Sequence, residues 1–260
     1  MLFFTFAPHF SKLQRYFLEI KFRGTSYHGW QVQENAHSVQ AELNKALGTL
    51  LKQEVQTTGC GRTDTDVHAL QFYVHFETDN LPERAEQFAY RLNAILPWDI
   101  AVKKIIDVHP EAHSRFDATS RTYEYKIVKT KEPFLKELAH FEPVDFDMEP
   151  MNEAAKELLN YDDFKAFSKG EVEFGTTLCK ITEAHWRKEN DLFIFKISAN
   201  RFLRNMVRAI VGTLLEVGKK RMTIKEFQNV IAKGERAAAG VSVPGYGLYL
   251  ISVIYPYIND

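Results

Sequence analysis

The amino-acid sequence predicts an α+β protein with two domains. Its 260 residues exceed what one hydrophobic core usually organises and are sufficient for two cores of modest size. Short stretches in which apolar and polar residues alternate, a pattern typical of strands, are interspersed with longer stretches whose apolar residues recur at helical spacing. This succession occurs once in each half of the chain. We therefore expect a first domain over residues 15–110 and a second over residues 111–260, preceded by an N-terminal extension over residues 1–14.

The first half predicts the order β-α-β-α-β. In residues 16–22, Leu18, Ile20 and Phe22 lie on one side of an extended chain, as in a half-buried strand. Ser38 is a suitable N-cap for the helix that follows, because its hydroxyl can accept a hydrogen bond from an N–H of the first turn. The predicted elements are strand 16–22, helix 39–51, strand 71–77, helix 82–92 and strand 100–108.

The second half repeats this order with an added hairpin. Asn190 and Asp191 favour a tight turn between two alternating stretches. Thr223 and Glu226 have the spacing of a capping box, which marks the start of a helix. The predicted elements are strand 121–129, helix 148–159, strands 183–188 and 192–198, helix 201–217, a helix that begins at 223, and strand 247–255.

Composition excludes several classes of protein. Charged residues make up 26% and hydrophobic ones 45%, which is the balance of an ordinary folded domain. No stretch approaches the roughly 18 apolar residues of a membrane span. Cys60 and Cys179 are too few for a disulfide framework or a cysteine-rich metal site and fit a reducing cytoplasm. His68 and His75 lack clustered partners at ligand spacing, so we expect no metal site.

The charge distribution is more informative than the net charge of −1. Residues 200–236 contain nine Lys or Arg against three Glu, whereas residues 137–173 contain eleven Asp or Glu against three Lys. An RNA-binding surface requires local positive charge, which the net charge of a chain can conceal. Two solvated faces of opposite sign would give the same pattern, so charge alone leaves both interpretations open.

Residues 59–69 (GCGRTDTDVHA) lie between a predicted helix and a predicted strand. Loops on a rigid scaffold are where catalytic groups concentrate, and this loop carries Arg62, Asp64, Asp66 and His68. A carboxylate beside an arginine can stay ionised when partly buried, and a poorly solvated carboxylate is a competent nucleophile. A surface turn with aspartate caps and an ion pair explains the same residues without catalysis.

Further motifs place this loop in a known context. The loop, through residues 61–64 (GRTD) and 67–69 (VHA), resembles the signature of the tRNA pseudouridine synthase A family. The resemblance extends over nearly the whole chain after residue 14 in ordered motifs at compatible spacing. Those motifs are residues 27–31 (YHGWQ), 38–40 (SVQ), 113–123 (HSRFDATSRTY), 202–208 (FLRNMVR) and 247–250 (GLYL).

The resemblance implies a fold, an activity and partners. The fold would be α+β, with two ferredoxin-like (RRM-like) domains whose antiparallel sheets join around a central RNA-binding cleft. The reaction would be the isomerisation of uridine to pseudouridine in the anticodon stem-loop of tRNA, at positions 38–40 in this family. The family uses neither a metal nor an organic cofactor, and its members are homodimers that bind tRNA between subunits. We expect a cytoplasmic protein without membrane association.

The resemblance also implies roles for individual residues. Asp64 matches the nucleophile that detaches uracil from ribose so that the base can rejoin through carbon. Arg62 matches an arginine linked to flipping of the target nucleotide, and Tyr123 matches the aromatic residue that stacks on the target base. Arg208 matches the basic partner of the catalytic carboxylate. Leu248, in the last motif, is expected to contact the substrate.

The predicted helix 201–217 carries additional candidates. At about 100° per residue, Arg201, Arg204 and Arg208 fall on one stripe, and apolar residues such as Ile210 and Leu214 fall on another. Such a helix could bury its apolar stripe while its guanidinium groups face a cleft, where they suit phosphate recognition. We therefore predict that Arg201 and Arg204 bind the substrate. A solvated basic edge is the alternative.

Asp66 departs from the family pattern, which has glycine two residues after the nucleophile. Glycine there suggests a backbone position with positive φ, which aspartate tolerates better than most residues do. The additional negative charge near Asp64 would have to be offset by Arg62 and Arg208. Two alternatives therefore stay open. One is a non-catalytic RNA-binding protein on the same fold, and the other is a metal-dependent phosphotransferase or nuclease that uses Asp64 and Asp66.

Overall fold

The computed structural model describes residues 13–79, 81–170 and 175–258. Residues 1–12, most of the predicted extension, lie outside this description, and the first strand already begins at Gln14. The strands are β1 (Gln14–Phe22), β2 (Thr58–Gly59), β3 (His68–Thr78), β4 (Ile100–Asp107), β5 (Ser120–Val128), β6 (His140–Phe141), β7 (Ile181–Glu189), β8 (Leu192–Ala199) and β9 (Leu248–Ile254). The helices are α1 (Val39–Leu51), α2 (Ala85–Ile95), α3 (Met148–Glu157), α4 (Met206–Gly218) and α5 (Ile224–Lys233).

The nine strands of the described ranges belong to one sheet with the order β4-β1-β3-β9-β5-β8-β7, while β2 pairs with β3 and β6 pairs with β5. Two pairings are parallel, β3 with β9 and β5 with β6, and the others are antiparallel. The predicted α+β class with a mostly antiparallel sheet is therefore confirmed. The sheet is continuous across the two halves of the chain because β9 pairs with β3 on one side and with β5 on the other.

Two hydrophobic cores meet on the same face of this sheet. Leu250 belongs to the core of the first half and Leu248 to the core of the second. The two leucines are two residues apart on one strand, so they point to the same face. Tyr123 on β5 packs against both cores. The junction between the cores, beside Tyr123, is therefore the place where side chains from both halves of the chain can meet.

Local sequence signals account well for the elements that they mark. The Ser38 hydroxyl accepts a hydrogen bond from the N–H of Ala41 at the start of α1. Thr223 and Glu226 form the predicted capping box of α5. Asn190, with φ of 52°, lies in the turn that joins β7 and β8. These predictions are confirmed because each depends on contacts within a few residues.

The predicted start of the helix at residue 201 is wrong. Helix α4 begins at Met206, because Asn205 adopts the left-handed conformation with φ of 67°. The side-chain amide of Asn205 donates to Ser242 Oγ at 2.7 Å, a partner 37 residues away. Arg201 and Arg204 therefore precede the helix, and the predicted stripe that they share with Arg208 does not exist. The apolar part of the prediction is confirmed, since Ile210 and Leu214 are fully buried.

Two smaller differences concern element ends. Helix α2 begins at Ala85 and not at Pro82, with Arg84 in extended conformation as its N-cap. Strand β3 begins at His68, so it includes the last part of the polar loop. Among the helices of the described ranges, none combines the length and the apolar character that crossing a membrane requires.

Candidate active site

The polar loop from Cys60 to Val67 connects β2 to β3. Its first residue is fixed to the sheet, because the N–H of Cys60 donates to the carbonyl of Tyr73 at 2.7 Å. Glycines from opposite ends of the sequence approach its backbone closely. A Cβ atom on Gly29, which has φ of 91°, would collide with the carbonyl oxygen of Thr63, and one on Gly245 would collide with that of Thr65. Only glycine permits backbone contact this close, so Asp64 lies on a loop that neighbouring backbone holds in place.

Asp66 occupies the backbone conformation that the family's glycine suggests. Its φ is 67°, in the left-handed region where aspartate is one of the better tolerated side chains. Its N–H donates to the carbonyl of Tyr27 at 3.4 Å. The prediction that this position has a positive φ is therefore confirmed.

Asp64 forms an ion pair with Arg208 from the first turn of α4. Nη1 of Arg208 lies 3.0 Å from Oδ2 of Asp64, and the two side chains are 22% and 29% exposed, so solvent reaches both only in part. Nε of Arg208 donates to the carbonyl of Val243 at 2.7 Å, which fixes the guanidinium group. Every residue of α4 other than Arg208 and Glu216 is buried. A rigid helix therefore carries the cation that offsets the charge of Asp64.

Tyr123 lies beside this pair, where the two cores meet. Its ring packs edge-on against Phe202, with 5.2 Å between the ring centroids. Burial raises the pKa of its hydroxyl, and the negative charge of nearby Asp64 raises it further, whereas Arg121 acts in the opposite direction. The tyrosine is therefore neutral at physiological pH and presents an aromatic surface close to the carboxylate.

The other predicted substrate-binding residues differ in exposure. Arg62 and Arg204 are exposed and Arg201 is partly buried. Leu248 is 6% exposed and belongs to the second core, where its strand position is opposite Tyr125. The structure therefore brings Asp64 and Arg208 into contact beside Tyr123 and leaves two of the three arginines on the surface. Substrate contact by these four residues stays a prediction.

His68 has a structural role, as expected for a histidine without metal-ligand neighbours in the sequence. Its Nδ1 accepts from the N–H of Gly24 at 3.0 Å, and its Nε2 lies 3.0 Å from the carbonyl of Tyr246. The first contact requires an unprotonated Nδ1, so the proton is on Nε2. Burial lowers the pKa of this imidazole, which favours the neutral form. His68 thus connects two distant segments on either side of the loop that carries Asp64.

The thiol of Cys60 lies at the start of this loop. Burial raises the pKa of the Cys60 thiol to about 11, so it is protonated at neutral pH and a poor nucleophile. Within the described ranges, no three His, Cys, Asp or Glu side chains are grouped closely enough to hold a metal ion. The Asp64 carboxylate is a candidate nucleophile of this loop that pairs with an arginine side chain, that of Arg208.

The sequence of this chain is similar to those of known RNA-modifying enzymes. The family model described as tRNA pseudouridine synthase matches residues 154–256. A tRNA pseudouridine synthase A of Parabacteroides distasonis is 48% identical over 244 residues, which cover 94% of this chain and 97% of the relative. The relative of the same name from Bacteroides fragilis is 46% identical over 245 residues, with 94% and 97% coverage.

A more distant relative gives the same result. The tRNA pseudouridine synthase A of Caldicellulosiruptor bescii is 34% identical over 241 residues, which cover 92% of this chain and 98% of the relative. Identity at this level over nearly the full length of both chains leaves no large region of the protein unmatched. The chain belongs to the tRNA pseudouridine synthase A family.

Proposed function

We propose that this protein isomerises uridine to pseudouridine in the anticodon stem-loop of tRNA, with Asp64 as the nucleophile. The protein is accordingly an enzyme of the isomerase class. The observation that carries the proposal is the pairing of Asp64 with Arg208, 3.0 Å apart and only partly exposed, beside Tyr123. A carboxylate paired with a fixed cation next to an aromatic surface suits a nucleophilic reaction on an extruded base.

The proposed reaction conserves every atom of the nucleoside. Asp64 forms a bond to C1′ of the ribose while the bond between C1′ and N1 of uracil breaks and its electron pair leaves with the base. The detached uracil turns and forms a new bond from C5 to C1′, which releases Asp64. The proton on C5 is then lost, and N1 gains one. The net change requires no water, metal or redox partner.

The neighbouring residues support these steps in distinct ways. Arg208 offsets the charge of Asp64 before the bond to ribose forms and again when the carboxylate is released. Tyr123 offers an aromatic surface on which an unstacked base can lie, and its neutral side chain adds no charge to the site. Arg62 promotes flipping of the nucleotide, while Arg201 and Arg204 contact phosphates. Leu248 borders the bound substrate.

We also propose that the fold consists of two ferredoxin-like domains, residues 15–110 and 111–260, joined around a central RNA-binding cleft. Strand order supports this proposal. In the first half the order is β4-β1-β3-β2, and in the second it is β9-β5-β8-β7. Numbered within each half, and with the two-residue strand β6 left out, both are 4-1-3-2 with helices in the intervening connections, which is the arrangement of a β-α-β-β-α-β domain.

The resemblance to the family supports two further proposals. One is that the enzyme acts as a homodimer, which sedimentation equilibrium of the purified protein tests directly. The other is that it acts in the cytoplasm. Both described cysteines are free and buried, which suits a reducing compartment.

The function is tested with a tRNA transcript that contains only unmodified nucleotides. We expect the purified protein, in EDTA, to introduce pseudouridine into the anticodon stem-loop, mapped by carbodiimide modification and primer extension. A transcript with cytidine in place of the candidate uridines is the matched control. Absence of pseudouridine on a pre-folded transcript would contradict the proposed function, and activity that requires magnesium would favour a metal-dependent enzyme.

A further inference from the structure

Arg121, at the start of β5, forms an unusual set of hydrogen bonds. Among the described residues, its guanidinium group donates only to main-chain carbonyl oxygens, and these belong to three separate segments of the chain. The contacts are Nε and Nη2 to Cys60 at 3.3 and 2.9 Å, Nη2 to Arg115 at 2.6 Å, and Nη1 to Ala118 and Asn200 at 3.3 and 2.9 Å.

These five hydrogen bonds use all the donors that an arginine has, one on Nε and two on each terminal nitrogen. In the part of the chain that the structure describes, no carboxylate lies within ion-pair distance of this guanidinium. Lysine carries three donors on a single atom and lacks the planar fork, so it could reach only some of these carbonyls. The geometry is therefore specific for arginine, and the positive charge of Arg121 remains uncompensated.

The segments that Arg121 connects are those that carry the proposed active site. Cys60 begins the loop that bears Arg62 and Asp64. Asn200 immediately precedes Arg201, and its own N–H donates to the carbonyl of Lys180 at 3.2 Å. Arg121 itself is two residues before Tyr123 on the same strand, so the two side chains point to the same face of the sheet. One guanidinium group thus fixes the relative positions of the nucleophile loop, the stacking tyrosine and a basic segment.

The charge of Arg121 acts on the same region. It lowers the pKa of Tyr123 and that of Cys60, both of which burial raises. The site therefore experiences a second fixed cation in addition to Arg208. Because its N–H groups are all occupied by carbonyl oxygens, Arg121 cannot donate hydrogen bonds to the substrate. It contributes a positive electrostatic potential and holds the surrounding segments in place.

We propose that Arg121 is a positioning residue for pseudouridine formation, which holds the Asp64 loop at a fixed distance from Tyr123 and from the segment that begins at Asn200. The inference rests on the proposed function of the site. It predicts that loss of the planar fork reduces the rate of the chemical step much more than it reduces tRNA affinity, because a displacement of about 1 Å in a reacting group can cost about 100-fold in rate.

The experiment compares the full-length wild type with Arg121→Lys and Arg121→Ala. Single-turnover rates at saturating enzyme, tRNA dissociation constants and melting temperatures are measured for each. We expect Arg121→Lys to lower the rate by about 30- to 100-fold while the dissociation constant changes less than about threefold. Millimolar ethylguanidinium should restore the rate of Arg121→Ala at least about tenfold, since a small guanidinium can occupy the vacated carbonyl cluster.

Arg187→Lys is the matched control. Arg187 pairs with Glu124 and Glu189 at 2.7 and 2.6 Å, on the face of the sheet opposite Tyr123, so lysine can keep part of its function. A rate for Arg121→Lys within threefold of wild type would overturn the inference. The inference would also be overturned if the Arg121 variants lost rate and tRNA affinity equally, in proportion to their fall in melting temperature, and ethylguanidinium did not restore the rate. Such a result would indicate general destabilisation of the protein. A wild type that forms no pseudouridine in the same assay would instead refute the proposed function, and the inference with it.

Discussion

Arg208 contacts Asp64 across 144 positions of sequence, with Nη1 3.0 Å from Oδ2. The aspartate lies on a loop whose backbone is packed against Gly29 and Gly245, and the arginine lies on a helix that is almost entirely buried. Neither partner can move far without disturbing a core. The pair is therefore preorganised, which means that little reorganisation is required when charge redistributes during the reaction.

Replacement of Asp64 by asparagine should abolish pseudouridine formation, with a loss of at least about 1,000-fold. The amide has nearly the same shape but cannot form the bond to ribose. Binding of tRNA should change less than about threefold, because phosphate contacts supply most of the affinity. Quantitative mapping of pseudouridine measures the activity, and filter binding measures the affinity for tRNA. Asp145→Asn, at a highly exposed carboxylate, is the control. Appreciable turnover by Asp64→Asn, with deamidation excluded, would remove Asp64 from the nucleophile role.

Asp66→Gly should preserve or raise activity. The position already has φ of 67°, which glycine adopts without strain, and the substitution removes a negative charge near Asp64. Pseudouridine yields for wild type and variant, each with magnesium and with EDTA, separate the alternatives. A metal-dependent enzyme that uses Asp66 as a ligand would lose its activity and its magnesium response in the variant. An inactive wild type that Asp66→Gly rescues would indicate a protein that binds RNA without modifying it.

Neutralisation of Arg201 or Arg204 should flatten the salt dependence of tRNA binding. Each lost phosphate contact lowers the slope of log K against log salt by about one unit. The two arginines precede α4 and differ in exposure, so we expect each to make its own phosphate contact. Their effects on the salt slope should then be roughly additive. Dissociation constants of Arg201→Gln and Arg204→Gln between low and high salt provide the slopes. Arg221→Gln, at an exposed arginine beyond the end of α4, is the control. Unchanged slopes in both variants would show that this segment does not face RNA.

Gly29→Ala should reduce the rate of pseudouridine formation by about 100-fold and destabilise the protein by about 1 to 3 kcal/mol. An alanine at this positive φ is strained, and its Cβ would displace the carbonyl of Thr63, the residue before the nucleophile. Gly61→Ala is a stringent control because it lies in the same loop and its Cβ would meet no atom within 4 Å. Equal rates for the two variants would mean that contact with Gly29 does not position Asp64.

Acid should destabilise the fold before carboxylates are protonated. Burial, assisted by the positive charge of His113 and Arg15, lowers the pKa of His75 from 6.5 to about 4. The unfolded chain therefore takes up a proton near pH 6.5 and the folded chain only near pH 4. The stability contributed by the neutral imidazole is complete above pH 6.5 and is lost as the pH falls towards 4, by up to about 3 kcal/mol.

Urea unfolding at pH 7, 5.5 and 4 measures this dependence. His75→Gln should weaken this pH dependence, because glutamine does not titrate. The N–H of Ser114 donates to Nδ1 of His75 at 3.1 Å, and an amide oxygen in the variant can still accept this hydrogen bond. Buried His68 and partly buried His140 retain part of the effect because burial also lowers their pKa values. His185→Gln, at a half-exposed histidine, is the control. An unchanged pH dependence in His75→Gln would refute the assignment.

Much of the secondary structure was predictable because its causes are local. Alternation identified the long strands, and helix caps such as Ser38 and the Thr223–Glu226 box marked helix starts that the structure confirms. The short strands β2 and β6 were missed, since two residues carry no periodicity. The composition of residues 59–69 identified a loop suited to catalysis, and ordered motifs identified the family, but spacing alone did not distinguish a nucleophile from a turn aspartate.

Tertiary structure decided which of those residues act together. The start of α4 depends on the contact of Asn205 with Ser242, and the true environment of Asp64 depends on Arg208, Gly29 and Gly245. Helical periodicity shows only which face of a helix is apolar and does not mark where the helix begins. The predicted helix therefore included residues 201–205, although a distant contact gives Asn205 a non-helical backbone. The sequence by itself determined the elements and the reactive loop. Contacts between residues far apart in the chain determined the geometry of the site, because packing at the junction of two cores outweighs local preference.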